Sequence, residues 1–142
     1  MFRDILVPVD LHDPEIWQKA LETAVTLAET FGARLHLQTV LPDVGIASLA
    51  QYFPPDWEEK MRASALSELE KLAQRAVPET VEVSLLVSAG SIWREIVRAA
   101  EERGCDLVVM GSHRPGLRDY LIGANAIKVA EHVPCSVMVV RG

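Results

Sequence analysis

Apolar and polar positions along this chain follow two rhythms in turn. Asp4 to Val9 is a short, nearly unbroken apolar run that ends at Asp10, the pattern of a strand buried on both faces. Asp13, Pro14 and Glu15 then carry a helix start: an acid at the N-cap, proline at the first helical position, an acid in the first turn. Ile16, Ala20, Ala24, Leu27, Ala28 and Phe31 recur at helical spacing, and Gly32 ends the helix. Arg34 to Leu41 alternates polar with apolar, which predicts a strand nearer a sheet edge. Pro42 to Asp56 holds three prolines and a glycine and reads as a long, partly ordered loop or cap, of a length that is often functional.

The second half repeats the scheme. Trp57, Met61, Ala65, Leu69, Leu72, Ala73 and Ala76 mark a second amphipathic helix, stopped by Pro78. Thr80 to Val87 alternates as a third strand. Ile92, Trp93, Ile96, Val97 and Ala100 form the apolar face of a third helix, which Gly104 closes. Asp106 to Met110 is a continuous apolar fourth strand. Ala126 to His132 is a fourth helix, and Ser136 to Arg141 a fifth strand. Strands that alternate with helices predict an α/β fold: a doubly wound, five-stranded parallel sheet with helices on both faces and right-handed crossovers. Strands one and four, the continuously apolar ones, belong in the centre, and strand three at an edge. The order 3-2-1-4-5 meets both demands, in one domain over residues 1–142. Ligands of such sheets bind beyond the carboxyl ends of the strands where the winding reverses. Here that point is flanked by Val9-Asp10 and Met110-Gly111.

The candidate chemistry falls at the same place. Val108 to Gly116 runs from a strand into a loop punctuated by Gly111 and Gly116, and Gly123-Ala124-Asn125 opens the fourth helix. Glycine admits close backbone approach, and a helix N-terminus offers unpaired N–H groups and partial positive charge, together a phosphate cradle. Ordinary turn chemistry explains the same glycines without a ligand. A positive φ is expected at Gly123, so that valine there would be strained and would crowd a phosphate.

Composition narrows the partners. A net charge of −6 argues against a general nucleic-acid binder and leaves room for a local anion pocket. The two cysteines, Cys105 and Cys135, lack any CxxC or metal spacing and read as buried free thiols. His12, His36 and His132 are scattered and suggest no metal site. No Ser/His/Asp or Cys/His arrangement and no P-loop lysine is evident. No apolar run is long enough for a membrane span, and no signal peptide is recognised, so a cytoplasmic protein is expected.

Ile5 to Asp10, Gly90, Asp106 to His113 and Pro134 to Arg141, in this order and spacing, resemble the universal stress proteins of the UspA superfamily over the whole chain. The resemblance implies the doubly wound sheet, dimers joined through the last strand and, in many members, ATP binding. In nucleotide-binding relatives Pro8, Val9 and Asp10 would line the base pocket, and the backbone of Val40 would meet the adenine. Met110, Gly111, His113, Arg114, Gly116, Gly123, Ala124 and Asn125 are the matching phosphate-side candidates. The pattern departs from the ATP-binding members twice: Arg114 stands at the second glycine, and Ala124 replaces a hydroxyl residue after Gly123. The stretches His113-Arg114-Pro115 and Gly123-Ala124-Asn125-Ala126 resemble a branch in which some members still bind nucleotide.

Individual side chains keep two readings each. Asp10 is a pocket acid or a strand-end acceptor of backbone N–H groups. His113 touches phosphate or sits exposed. Arg114 offers a fork to polyphosphate or pairs with Asp119. Asn125 can cap the fourth helix and offer its amide. Ser136 to Val140 is an apolar edge that invites an antiparallel twofold partner, unless the fourth helix and the chain end shield it. The reading is a small cytoplasmic ATP- or ADP-binding stress-response regulator, a homodimeric module for a regulatory partner, with Mg²⁺ as the nucleotide's counter-ion. A slow ATPase or self-phosphorylating enzyme, and a dimeric interaction protein without nucleotide, remain alternatives.

Overall fold

The computed structural model describes residues 1–42, 52, 54–112 and 123–141. Their elements run β1 (Asp4–Pro8), α1 (Pro14–Phe31), β2 (Arg34–Leu41), α2 (Trp57–Ala76), β3 (Val83–Ala89), α3 (Ile92–Glu102), β4 (Leu107–Gly111), α4 (Ala124–His132) and β5 (Ser136–Val140). The strands form one parallel sheet in the order β3-β2-β1-β4-β5, as expected. The expected loop at Pro42 to Asp56 lies largely outside the described residues.

Alternation in the central strands sends side chains to two cores. Ile5 and Val7 of β1, and Val9 just beyond it, meet Trp17, Ala20, Leu21 and Ala24 of α1 and Leu69 and Leu72 of α2 on one face. Leu6 and Val108 meet Ile96, Ala99 and Ala100 of α3 and Val129 of α4 on the other. β1 is paired on both edges and covered on both faces, which is why it is apolar almost throughout.

One expectation is corrected. The third strand begins at Val83, not Thr80, because Val81 N–H closes a turn on the Pro78 carbonyl (3.0 Å) and pairing with β2 runs from Leu35↔Val83 to Leu41↔Ala89. β2 lies one strand in from the β3 edge, as its alternation and the order predicted, but its polar positions do not face water. β2 lies between β1 and β3, and its polar residues His36 and Gln38 are 2% and 0% exposed. They are tolerated inside because partners on other elements answer both ring nitrogens of His36 and the amide nitrogen of Gln38. His36 Nε2 meets Asp4 Oδ1 at 2.9 Å and its Nδ1 meets Ser84 Oγ at 2.6 Å, so one ring ties three strands together.

Both cysteines are free, Cys105 buried and Cys135 half-buried, in keeping with the sequence reading. Burial, reinforced by the Asp4 carboxylate, pushes the Cys105 thiol up to about 12, and burial also raises Cys135. The folded state therefore keeps a proton on Cys105 in a range where the unfolded chain, with an ordinary thiol near 9.0, has lost it. That contribution to stability is whole below pH 9 and disappears as pH rises toward 12. Urea midpoints measured between pH 8 and about 11.5 will fall, and the fall will be shallower in Cys105→Ala. Parallel curves for the two proteins would remove Cys105 from the alkaline transition.

Candidate functional site

β1 pairs with β4 only at Ile5↔Leu107 and Leu6↔Val108, whereas β1 stays beside β2 through Pro8 and β4 beside β5 through Gly111. The two central strands thus part at their carboxyl ends. A cleft of about 400 Å³ occupies the gap. Pro8, Val9 and Asp10 enter it from the end of β1, Ile16 and Trp17 from α1, Gln38 and Val40 from β2, and Ile92 and Ile96 from α3. Met110, Gly111 and Ser112 close the β4 side, and residues 123–126 bring the first turn of α4.

Proline at position 8 has no N–H to offer a neighbour, which suits a strand leaving the sheet. Trp17, 5% exposed, forms a wall, and its indole Nε1–H is held by the carbonyl of Asp10. The same carbonyl accepts the N–H of Asp13 at 3.0 Å, so α1 starts directly off the end of β1. Asp10 Oδ1 accepts the N–H of His12 at 3.0 Å. The strand-end role weighed for this acid is thus realised, and the residue still borders the cleft.

The glycines work differently from expectation. A Cβ on Gly111 would strike the carbonyl of Ile16, whose carbon would lie 2.8 Å away. This glycine therefore makes room for the first turn of α1 against the end of β4. A Cβ on Gly123 would lie 2.5 Å from the carbonyl oxygen of Ser112, to which Gly123 N–H donates at 2.9 Å. The expected positive φ at Gly123 is overturned: the residue is extended, at φ −61° and ψ 151°. Closeness to Ser112, not backbone handedness, keeps it small. Gly123 is also the N-cap of α4, which begins at Ala124 rather than Ala126. Asn125 is therefore inside the first turn and is not the cap. The first bond within this helix runs from Ile127 N–H to the Gly123 carbonyl, 3.1 Å, so the N–H groups of residues 124–126 find no acceptor within the helix. They lie at the edge of the cleft, with the positive end of the helix dipole.

Pro8, Val9, Asp10, Val40, Met110, Gly111, Gly123, Ala124 and Asn125, all singled out in the sequence, surround this one cleft. His113, Arg114 and Gly116 lie outside the described residues. Sequence reasoning missed Ile16, Trp17, Gln38, Ile92, Ile96 and Ser112. Ile16, Ile92 and Ile96 read as core positions from their spacing alone, and Trp17 fell outside the apolar stripe read for its helix. Gln38 carried a signal, a polar residue in an interior strand, that alternation disguised as an outward position. The contact of Ser84, His36 and Asp4 was also missed, since 32 and 48 residues separate the partners of His36. It lies at the amino ends of the strands, away from the cleft. A hollow of about 550 Å³ at that end borders Asp4, Arg34 and Glu82, and Arg34 already pairs with Glu82 at 3.3 Å. Among the described residues no helix is long and apolar enough to cross a membrane, and no His, Cys, Asp or Glu group could hold a metal.

The profile of the Universal stress protein family matches residues 1–141. The chain is 35% identical to universal stress protein G of Escherichia coli O157:H7, over 99% of this chain and all of that one. Among solved structures, the hypothetical protein MJ0577 superposes with a TM-score of 0.81 at 25% identity, over 99% of this chain and 96% of that one. Universal stress protein UspA from Lactobacillus plantarum follows at 0.76 and 26%, over 98% and 97%. The same fold is seen at 22% identity in a universal stress protein in complex with cAMP, TM-score 0.65, covering 98% of this chain and 96% of that one. It is seen at 18% in an Arabidopsis thaliana family protein with AMP bound, TM-score 0.60, covering 97% and 90%.

The packing of Gly111 can be tested without any ligand. Gly111→Ala drives a methyl group into the backbone of Ile16 and is expected to cost about 1–3 kcal/mol, read as a lower urea midpoint at unchanged slope. An unchanged midpoint would mean that α1 does not rest on this glycine.

Proposed function

The chain belongs to the universal stress protein family, and on that premise we propose that it is a small cytoplasmic nucleotide-binding regulator taking ATP or ADP in the cleft between β1 and β4. The observation that carries this reading is the meeting of three features in one place. The central strands part, apolar side chains line the gap, and the first turn of α4 offers backbone N–H groups at its edge. A flat base fits the apolar part, and phosphates suit the helix terminus. Relatives of the same fold hold cAMP and AMP, which supports a nucleotide as the ligand class.

Arg114 is assigned to the polyphosphate, where its fork takes over from the family's second glycine. His113, Gly116 and the backbone of Ala124 complete that side. Mg²⁺ enters as the nucleotide's counter-ion, since Asp10 is the one carboxylate among the described lining residues. Nucleotide occupancy of the cleft would be what a regulatory partner senses.

Calorimetry on protein stripped of carried-over ligand is expected to give micromolar affinity for ATP, about −8 kcal/mol. Arg114→Ala should weaken ATP by about 1.5–3 kcal/mol and AMP by less. Absence of both heat and thermal shift at millimolar ATP would turn the reading toward an interaction protein without nucleotide. Equal losses for ATP and AMP would remove Arg114 from the polyphosphate.

The second part of the reading is a homodimer. β5 is the last strand of the sheet, and among the described residues no strand pairs with its outer edge. Val137, Met138, Val139 and Val140 are all half-buried against the two cores. A second copy related by a twofold axis would pair antiparallel and cover both edges. Light scattering at tens of micromolar should give twice 15.7 kDa, and Val139→Pro should give the single mass with helix content retained. A monomeric mass for the unaltered protein would mean that the edge is protected some other way.

A further inference from the structure

The sheet has two outer strands, β3 and β5, and among the described residues no strand pairs with the far side of either. The register of β3 shows which of its backbone groups face outward. Leu35 N–H donates to the Glu82 carbonyl at 2.9 Å, and Gly90 N–H to the Leu41 carbonyl at 3.0 Å. With Leu35 opposite Val83 and Leu41 opposite Ala89, Ser84, Leu86 and Ser88 turn their backbone groups toward β2. Val83, Leu85, Val87 and Ala89 therefore turn N–H and C=O outward. Arg62 of α2 reaches into this row, where its Nη1 donates to the Val87 carbonyl at 3.0 Å.

We propose that Arg62 is an edge guard that closes β3 to strand pairing by a second copy of this chain, so that copies pair through β5 alone and assembly ends at the dimer. The proposal rests on the homodimer reading and adds what that reading leaves open, why growth stops at two. An incoming strand needs the Val87 carbonyl as an acceptor and must lie about 4.8 Å from β3. The guanidinium holds that acceptor from within the same space. A charged donor binds a carbonyl more strongly than a neutral backbone amide does, so exchanging one for the other is unfavourable. The edge needs such a guard. β3 runs for seven residues without a proline, and Val83, Leu85 and Val87 are apolar and only partly buried. A twofold contact at β5 uses one edge of each copy. Were β3 to pair as well, every dimer would carry two further open edges, and the sheet would extend with no closing contact.

Light scattering and amide hydrogen exchange on the full chain test this. Arg62 is exposed, and alanine is a good helix former, so Arg62→Ala leaves the buried side of α2 in place. The change also makes a chain of net charge −6 more negative, which opposes association, so a gain in mass reports the freed edge. At tens of micromolar the unaltered protein should keep the dimer mass, while Arg62→Ala should exceed it at least about twofold and keep rising with concentration. Exchange locates the seam: the amides of Leu85, Val87 and Ala89 should exchange at least about tenfold more slowly in Arg62→Ala than in the unaltered protein. An unchanged mass in Arg62→Ala, or a larger mass with these three amides exchanging as before, overturns the guard. A monomeric unaltered protein overturns the homodimer reading instead, and the guard then stands or falls on whether Arg62→Ala doubles that mass with the same three amides slowed.

Discussion

The architecture turns on the place where β1 and β4 let go of each other. At their amino ends they are tied firmly: the Asp106 carboxylate accepts the N–H groups of Arg3 and Asp4, and Asp106 N–H reaches the Asp4 carbonyl at 3.0 Å. Two paired positions later the ladder ends. Each strand then follows its outer neighbour, so the sheet opens like a fork with β2 and β5 as its tines. The opening would collapse if nothing stood in it. α1 and the first turn of α4 hold it, the one through Gly111 against Ile16, the other through Gly123 against Ser112. Both contacts bring backbone to backbone, and both fail with the smallest side chain added.

Strand order was legible in the sequence because burial on both faces and on both edges favours apolar residues wherever no partner stands ready for a polar one. Ile5, Leu6, Val7, Val108 and Val109 are all at 0% exposure, and their unbroken apolar run named the centre of the sheet. The site's location followed from that order alone. What stayed hidden has a common cause: it depends on groups far apart in the chain. Gly123 looked like a residue needing a left-handed turn, but its smallness answers a carbonyl eleven residues earlier. Asn125 looked like a cap, since Asn is a good one, yet Gly123 takes that position where it meets Ser112.

β2 teaches the same lesson from the other side. His36 and Gln38 sit at alternating positions, and alternation ordinarily means one wet face. Here the face is covered, and the polar groups are kept because β1, β3 and α3 each supply a partner. A polar residue inside a strand is costly only when unanswered. Periodicity reports where side chains point. It does not report whether the space they point into contains water.

The charge of the molecule sharpens the account of the cleft. With a net charge of −6, the chain as a whole repels an anion at long range. Salt limits that repulsion to about 8 Å at physiological ionic strength. Within that distance the described walls add one acid, Asp10, which already accepts a backbone N–H group. On the proposed nucleotide reading, attraction for phosphate would come from dipoles aimed at short range, which the first turn of α4 provides. Attraction for the rest of the ligand must come from burial, which Val9, Ile16, Trp17, Ile96 and Met110 provide. The two halves of the cleft therefore ask for a molecule that is apolar and flat at one end and anionic at the other.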